Sequence, residues 1–132
     1  MASSKTIPDG YADLLERPIV GTLATVRVDG GPTATPMWFQ WDGELIRFTH
    51  TGARQKTKNL RAEPRFSFVI IDPEDPGRYL EVRGRLESIE PDPTGAFYVV
   101  LGKRYGNPDQ EPPADSPDRV VIALRPEVYN TH

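Results

Sequence analysis

Between Thr51 and Asn59 the chain reads Thr-Gly-Ala-Arg-Gln-Lys-Thr-Lys-Asn, a stretch dense in groups that hold anions. Arg54 can grip a phosphate through two parallel N–H bonds, and Lys56 adds a point charge. Thr51 and Thr57 contribute hydroxyl donors. If the stretch opens a helix, its first turn adds unpaired backbone N–H groups and the positive end of the helix dipole. Thr51 is then a natural N-cap, although no full capping box forms, because Arg54 stands where its Glu or Gln would be. Arg54, Lys58 and Arg61 recur at helical spacing, and the same pattern describes a basic face turned to water.

A second constellation is Pro36-Met37-Trp38-Phe39-Gln40-Trp41. In an extended strand Met37, Phe39 and Trp41 share one face, and Pro36, Trp38 and Gln40 the other. Either set can stack on a planar ring. Core packing is the competing role, favoured for Phe39 and Trp41, and Trp38 is the better candidate for a site wall. His50 directly follows a strand beside the proposed anion turn, where it is either a proton donor or a turn residue. His132, at the C-terminus, is expected to play no part. Glu81 and Arg83 read as surface or interface contacts on one strand. With no cysteine, disulfides, thiolate metal sites and cysteine nucleophiles are excluded. Two histidines alone make a metal site an unlooked-for feature, and none is expected.

The elements that must position these residues follow from periodicity and turn signals. Asp9 to Glu16 predicts a short amphipathic helix stopped by Pro18. Val20 to Val28 alternates as a strand, and Asp29-Gly30-Gly31 marks a hairpin, since Asp-Gly readily takes the positive φ that a tight turn requires. A strand from Thr33 to Trp41 leads to a second hairpin at Asp42-Gly43 and a strand from Glu44 to Thr49. The basic segment then predicts a helix ending near Glu63-Pro64. Strands are expected at Arg65–Asp72, Arg78–Ile89 and Val120–Leu124, with a turn at Pro73–Gly77. Thr94 to Tyr105 predicts a helix, and the Pro- and acid-rich stretch from Gly106 to Pro117 a loop. Strands without regular crossover helices imply an antiparallel sheet closing into a barrel.

The 132 residues fit one domain spanning 1–132. A domain of that size buries only about two-thirds of its unfolded surface, so a second subunit would help to enclose a large ligand. Sixteen basic against nineteen acidic residues argue against nucleic acid as the partner. Basic groups crowd one stretch, which suits a small anion better than a polyanion. Neither a secretory leader nor a membrane-length apolar run is evident. A cytoplasmic chain without membrane contact is expected.

In order along the chain, Gly21-Thr22-Leu23-Ala24-Thr25-Val26, Asp29-Gly30, Pro36-Met37-Trp38-Phe39, Ala53-Arg54-Gln55-Lys56-Thr57-Lys58-Asn59-Leu60-Arg61 and Pro64-Arg65 resemble the split β-barrel flavin/deazaflavin oxidoreductases. This is the superfamily of pyridoxamine 5′-phosphate oxidase, and the likeness is strongest to its coenzyme F420-dependent reductases. Arg78-Tyr79-Leu80-Glu81-Val82-Arg83-Gly84 extends the resemblance, which covers about Ile19 to Gly106. It implies a mainly β fold with short helices, a six-stranded antiparallel split β-barrel, acting as a homodimer with cofactor sites at the interface. Arg54 and Lys56, helped by Thr51 and Thr57, would meet the phosphate of F420 (alternatively FMN). Pro36, Met37 and Trp38 would flank the ring system, and Arg78 and Tyr79 would reach the partner's site. Lys58 and Arg61 would face the acidic tail of F420 or simply water. The reaction implied is hydride transfer to a small unsaturated organic substrate, the ring carrying the chemistry and the protein positioning it.

Overall fold

The structure, a computed structural model, describes residues 2–131, and His132 lies outside them. In chain order the elements are β1 (Ala2–Ser4), α1 (Asp13–Glu16), β2 (Gly21–Val26), β3 (Pro32–Met37), β4 (Gln40–Trp41), β5 (Ile46–Thr51), α2 (Gln55–Ala62), β6 (Arg65–Ile71), β7 (Tyr79–Pro91), α3 (Ala96–Arg104) and β8 (Arg119–Thr131), with a 3-10 turn at Ser116–Asp118. The strands form one curled antiparallel sheet in the order β3-β2-β6-β7-β8-β5-β4, and β1 adds to β8.

The alternation read from the sequence explains the curl. Leu23, Phe48, Phe66, Phe68, Ile70, Leu80, Val82, Ile122 and Leu124 all turn to the concave side, where they form one core. Leu14 and Leu15 of α1 are fully buried and join it, with α1 packed against β4 and β6. On β2 the inward side is Gly21, Leu23 and Thr25, which leaves Val20 half exposed. Both expected hairpins form, and Gly30 (φ 87°) and Gly43 (φ 95°) supply the positive φ that each turn requires.

The expected six strands become seven along the sheet, plus β1. The strand expected from Thr33 to Trp41 breaks at Trp38-Phe39, because the backbone of Phe39 bonds to α3 instead of a neighbouring strand: its N–H donates to Tyr105 Oη at 3.1 Å, and its carbonyl accepts from Arg104 Nε at 2.8 Å. The last strand runs on to Thr131, well past Leu124. Pro126 conceals this in the sequence. It sits opposite Gly84 where the β7–β8 register shifts, and a bulge is where a sheet interior tolerates proline. The helix expected from Asp9 shrinks to the single turn α1, since Gly10 takes φ 83°. His50 and Thr51, expected just after a strand, lie within β5. Among the described residues no helix is long and apolar enough to cross a membrane.

Candidate functional site

The sheet does not close between β3 and β5. Among the described residues β3 pairs only with β2, and the stretch Phe48–Thr51 of β5 only with β8. α2 leaves the end of β5 and crosses to β2, where Asn59 Nδ2 donates to Thr25 Oγ1 at 3.3 Å. α3 packs against β5 from the other direction. An open seam bordered by two helices results.

Two cavities occupy the seam, and Lys56 borders both. The larger, 540 Å³, lies between α2 and the inner side of β2–β3, walled by Thr25, Thr33, Thr35, Gln55 and Asn59, with Arg27 and Asp29 at the rim. The smaller, 210 Å³, is walled by Pro36, Met37 and Trp38 on one side and Phe48, Thr49 and His50 on the other. Tyr98 and Leu101 of α3 and Arg119 at the start of β8 complete it. One end is therefore polar and hydroxyl-rich, the other aromatic.

The electrostatics are positive. Lys56 is half-buried with Nζ 5.7 Å from the centre of the Phe48 ring, and burial holds its ammonium below the usual lysine range. Arg119 lies over the Tyr98 ring at 4.9 Å, with its Nε bonded to Asp115 at 2.9 Å. The His50 imidazole is pushed down to about 4, first by burial and then by Lys56, Arg54 and Arg119. The ring is therefore uncharged at neutral pH. On α2 the first helical backbone bond is Lys58 N–H to Arg54 O, so the N–H groups of the preceding turn are unclaimed by the helix.

The aromatic wall is held from behind. The Trp38 ring stacks on Tyr105, centroids 4.9 Å apart and planes 7° from parallel. Tyr105 Oη donates to Ile19 O at 2.7 Å while accepting from Phe39 N–H. Arg104 donates to the carbonyls of Phe39, Glu16 and Arg17, tying α3 to the end of α1. Trp38 is 39% exposed, so the clamp fixes one face of its ring and leaves surface toward the cavity.

The structure thus brings together Pro36, Met37, Trp38, His50 and Lys56 from the sequence reading. Arg54 is the exposed N-cap of α2 and borders neither cavity, and Lys58 and Arg61 are exposed further along the helix. Thr51 is corrected as a cap: it is a buried strand residue, and its carbonyl accepts from Arg54 N–H and from Thr57 Oγ1 at 2.9 Å. Thr57 is fully buried by that bond, so its hydroxyl proton is turned into the protein and away from the seam. Arg78 is tied down within the chain, to Asp72 at 2.9 Å, to Asp13 and to the carbonyl of Gly10, with its guanidinium over the Tyr11 ring. Neither Arg78 nor Tyr79 borders either of these two cavities. Phe39 is core, edge-on to Phe68 at 5.0 Å, as its reading favoured.

Sequence reasoning missed Tyr98, Arg119, Tyr105, Thr25 and Asn59. Of these only Tyr105 gave a local signal, an aromatic beside Arg104 at the end of a predicted helix. Thr25 and Arg119 meet the seam because the sheet curls, and Tyr98 and Asn59 because α3 and α2 pack along it.

The comparisons with known proteins agree with this architecture. The family profile of pyridoxamine 5′-phosphate oxidase matches residues 7–132. The pyridoxine/pyridoxamine 5′-phosphate oxidase of Cupriavidus pinatubonensis is 30% identical over 122 residues, covering 87% of this chain and 55% of the relative. That of Cupriavidus necator is 30% identical over 125 residues, covering 89% and 56%. The chain spans about half the length of these curated relatives. Among solved structures, a protein described as an F420 reductase is 57% identical with a TM-score of 0.91, covering 94% of this chain and 98% of that one. A conserved hypothetical protein of Mycobacterium tuberculosis is 27% identical with a TM-score of 0.75, covering 97% and 86%. The profile match runs from Ile7 through the seam to the last strand, and the chain belongs to the pyridoxamine 5′-phosphate oxidase family.

Proposed function

We propose that the chain is a cytoplasmic, homodimeric oxidoreductase that uses coenzyme F420 to pass a hydride to a small unsaturated organic substrate. The observation that carries this reading is the 57% identity to an F420 reductase over nearly the full length of both chains. The seam fits such a cofactor on its own chemistry. Lys56 sits between the polar and aromatic cavities, where a phosphate joining a polar tail to a flat ring would lie. The first-turn N–H groups of α2 add donors, and Arg54, the exposed N-cap before them, is near enough for its charge to act on the His50 ring. Lys58 and Arg61, exposed along α2, suit an acidic tail extending outward.

In this reading the bound deazaflavin supplies the hydride. The chain's own residues position and shield. Trp38, backed by Tyr105, walls the ring site together with Pro36 and Met37, while Leu101 and Phe48 exclude water. The half-exposed Val20 and Ile71 support a dimer contact on the outer side of the sheet near the seam strands. Arg78 is left out of the proposed contacts because Asp13 and Asp72 already hold it.

The second reading is an FMN-dependent enzyme, favoured by the curated relatives named as pyridoxine/pyridoxamine 5′-phosphate oxidases. Fluorescence titration with F420 and with FMN separates the two. F420 should bind more tightly, and Arg54→Ala with Lys56→Ala should weaken it by about a hundredfold, the loss of two charge-assisted contacts of about 1.5 kcal/mol each. Submicromolar FMN binding without F420 binding would overturn the choice of cofactor. Tight F420 binding with no turnover across a panel of quinones and enones would point instead to a non-catalytic carrier.

A further inference from the structure

At the seam the chemistry of His50 is fixed by the backbone that follows it. It lies on β5 opposite Val120 of β8, and its ring walls the smaller cavity together with Trp38, Lys56 and Arg119. Its Nδ1 accepts the N–H of Thr51 at 3.2 Å. A ring nitrogen that accepts carries no proton, so the single proton of the neutral imidazole sits on Nε2.

The charged groups facing this ring come from three directions. Lys56 and Arg54 approach from α2 and its cap, Arg119 from the start of β8, and Asp115 from the loop before it. Asp115 is itself engaged by Arg119 at 2.9 Å. Burial disfavours the charged ring most, and three cations against one paired carboxylate act in the same sense. The local field and the backbone bond therefore select the same state of the ring.

We propose that His50 serves the seam as a fixed, uncharged hydrogen-bond donor, giving Nε2–H to a carbonyl oxygen or ring nitrogen of the bound molecule and exchanging no proton with it. The role rests on the reading of the seam as the ligand site. It has a chemical consequence: an acceptor atom beside His50 is polarised without being protonated by it, and any proton the reaction requires there comes from a group other than His50. Among the cationic groups around the smaller cavity, the ring then adds direction without adding charge.

The test separates the state of the ring from the identity of the ligand. The chain has two histidines, so long-range ¹H–¹⁵N spectra of the unliganded protein, assigned with His132→Ala, read each ring directly. The expected result is Nε2–H and an uncharged ring at His50 down to pH 5.5. An Nδ1–H tautomer, or a ring charged at pH 6, would overturn the proposal. F420 and FMN are then titrated into the unaltered protein, His50→Leu and His50→Gln, each checked for native circular dichroism. His50→Leu should weaken the cofactor that binds by about tenfold, the worth of one buried hydrogen bond. His50→Gln, which restores a side-chain N–H, should recover most of that loss. Equal weakening in both, or none in either, would remove the donor role. If the unaltered protein binds neither cofactor, the proposed function and the donor role toward it fall, while the spectra still decide the state of the ring.

Discussion

Tyr105 holds Trp38 in place by two separable means, and Tyr105→Phe removes only one. The phenyl ring keeps the stack at 4.9 Å, while the variant loses the bonds to Ile19 O and from Phe39 N–H. Phe39 is fully buried, so its N–H is left in the protein without an acceptor. An orphaned buried donor costs about 1–3 kcal/mol and the lost bond to Ile19 adds about 0.5–1.5 kcal/mol; toward the low end of both, as suits a partly buried tyrosine, the substitution costs about 2 kcal/mol. With a urea m-value of about 2 kcal/mol/M for a chain of this size, the unfolding midpoint should fall by about 1 M. Urea titration followed by tryptophan fluorescence measures it. Tyr105→Leu should cost more and should also alter the near-ultraviolet dichroism of Trp38, because it removes the stack as well. A midpoint shift below about 0.3 M in Tyr105→Phe would show that these bonds do not hold the Trp38-Phe39 break, and the account of the aromatic wall would be wrong.

Gly84→Ala should cost about 3 kcal/mol or abolish folding, because its Cβ would sit 1.9 Å from the backbone oxygen of Arg125 and no side chain can yield; thermal melts of purified protein decide this. Asp42 is held at about 2 by the backbone N–H of Leu45, then by Arg47 and the N–H of Glu44. Its folded value lies below its unfolded one, so its stabilisation is present above about pH 4 and is lost as pH falls toward 2. Because the carboxylate is largely exposed, Asp42→Ala should cost only about 0.5–1 kcal/mol at pH 7 and nothing near pH 2, read from urea midpoints at both. His50 carries the same sign from the other charge type. Its folded value, about 4, is below the ordinary histidine value, so the unfolded chain binds the extra proton and stability falls as pH drops from 6.5 toward 4. His50→Gln should flatten that part of the profile, and an unchanged slope would show that the ring titrates normally.

Much of this was legible in the sequence wherever the signal was local. Asp29-Gly30 and Asp42-Gly43 announce both hairpins because only a few residues take the backbone angles involved. Lys56 and Trp38 stood out by residue type, a charge in an anion-holding segment and an aromatic on a strand, and both border the smaller cavity. What failed was of two kinds. Thr57 has the composition of an anion donor, but a hydroxyl one turn into a helix can equally bond back to the preceding strand, and here it reaches Thr51 O. Pro126 reads as a stop, yet a bulge opposite Gly84 lets β8 continue. Both are choices between partners: Pro126 meets a strand far away in sequence, and Thr57 turns to a neighbour only six residues back that its composition does not announce.

The seam itself shows why its residues were harder to find than the strands that border it. A continuous strand from Thr33 to Trp41 would let its backbone go on pairing along β2 and give Trp38 an ordinary outward position. Breaking at Trp38-Phe39 exposes the Phe39 N–H and carbonyl to the loss of their strand partners, a cost of a few kcal/mol if unmet. Tyr105 and Arg104 meet both groups from the end of α3, some 65 residues later in the chain. The same two side chains reach Ile19, Glu16 and Arg17, so the start of β2 and the end of α1 are fixed by the contacts that set the Trp38 ring. The aromatic wall is therefore not an ornament on a finished sheet. Its geometry and the opening of the sheet depend on one set of hydrogen bonds, and a change that weakens the clamp should loosen fold and site together.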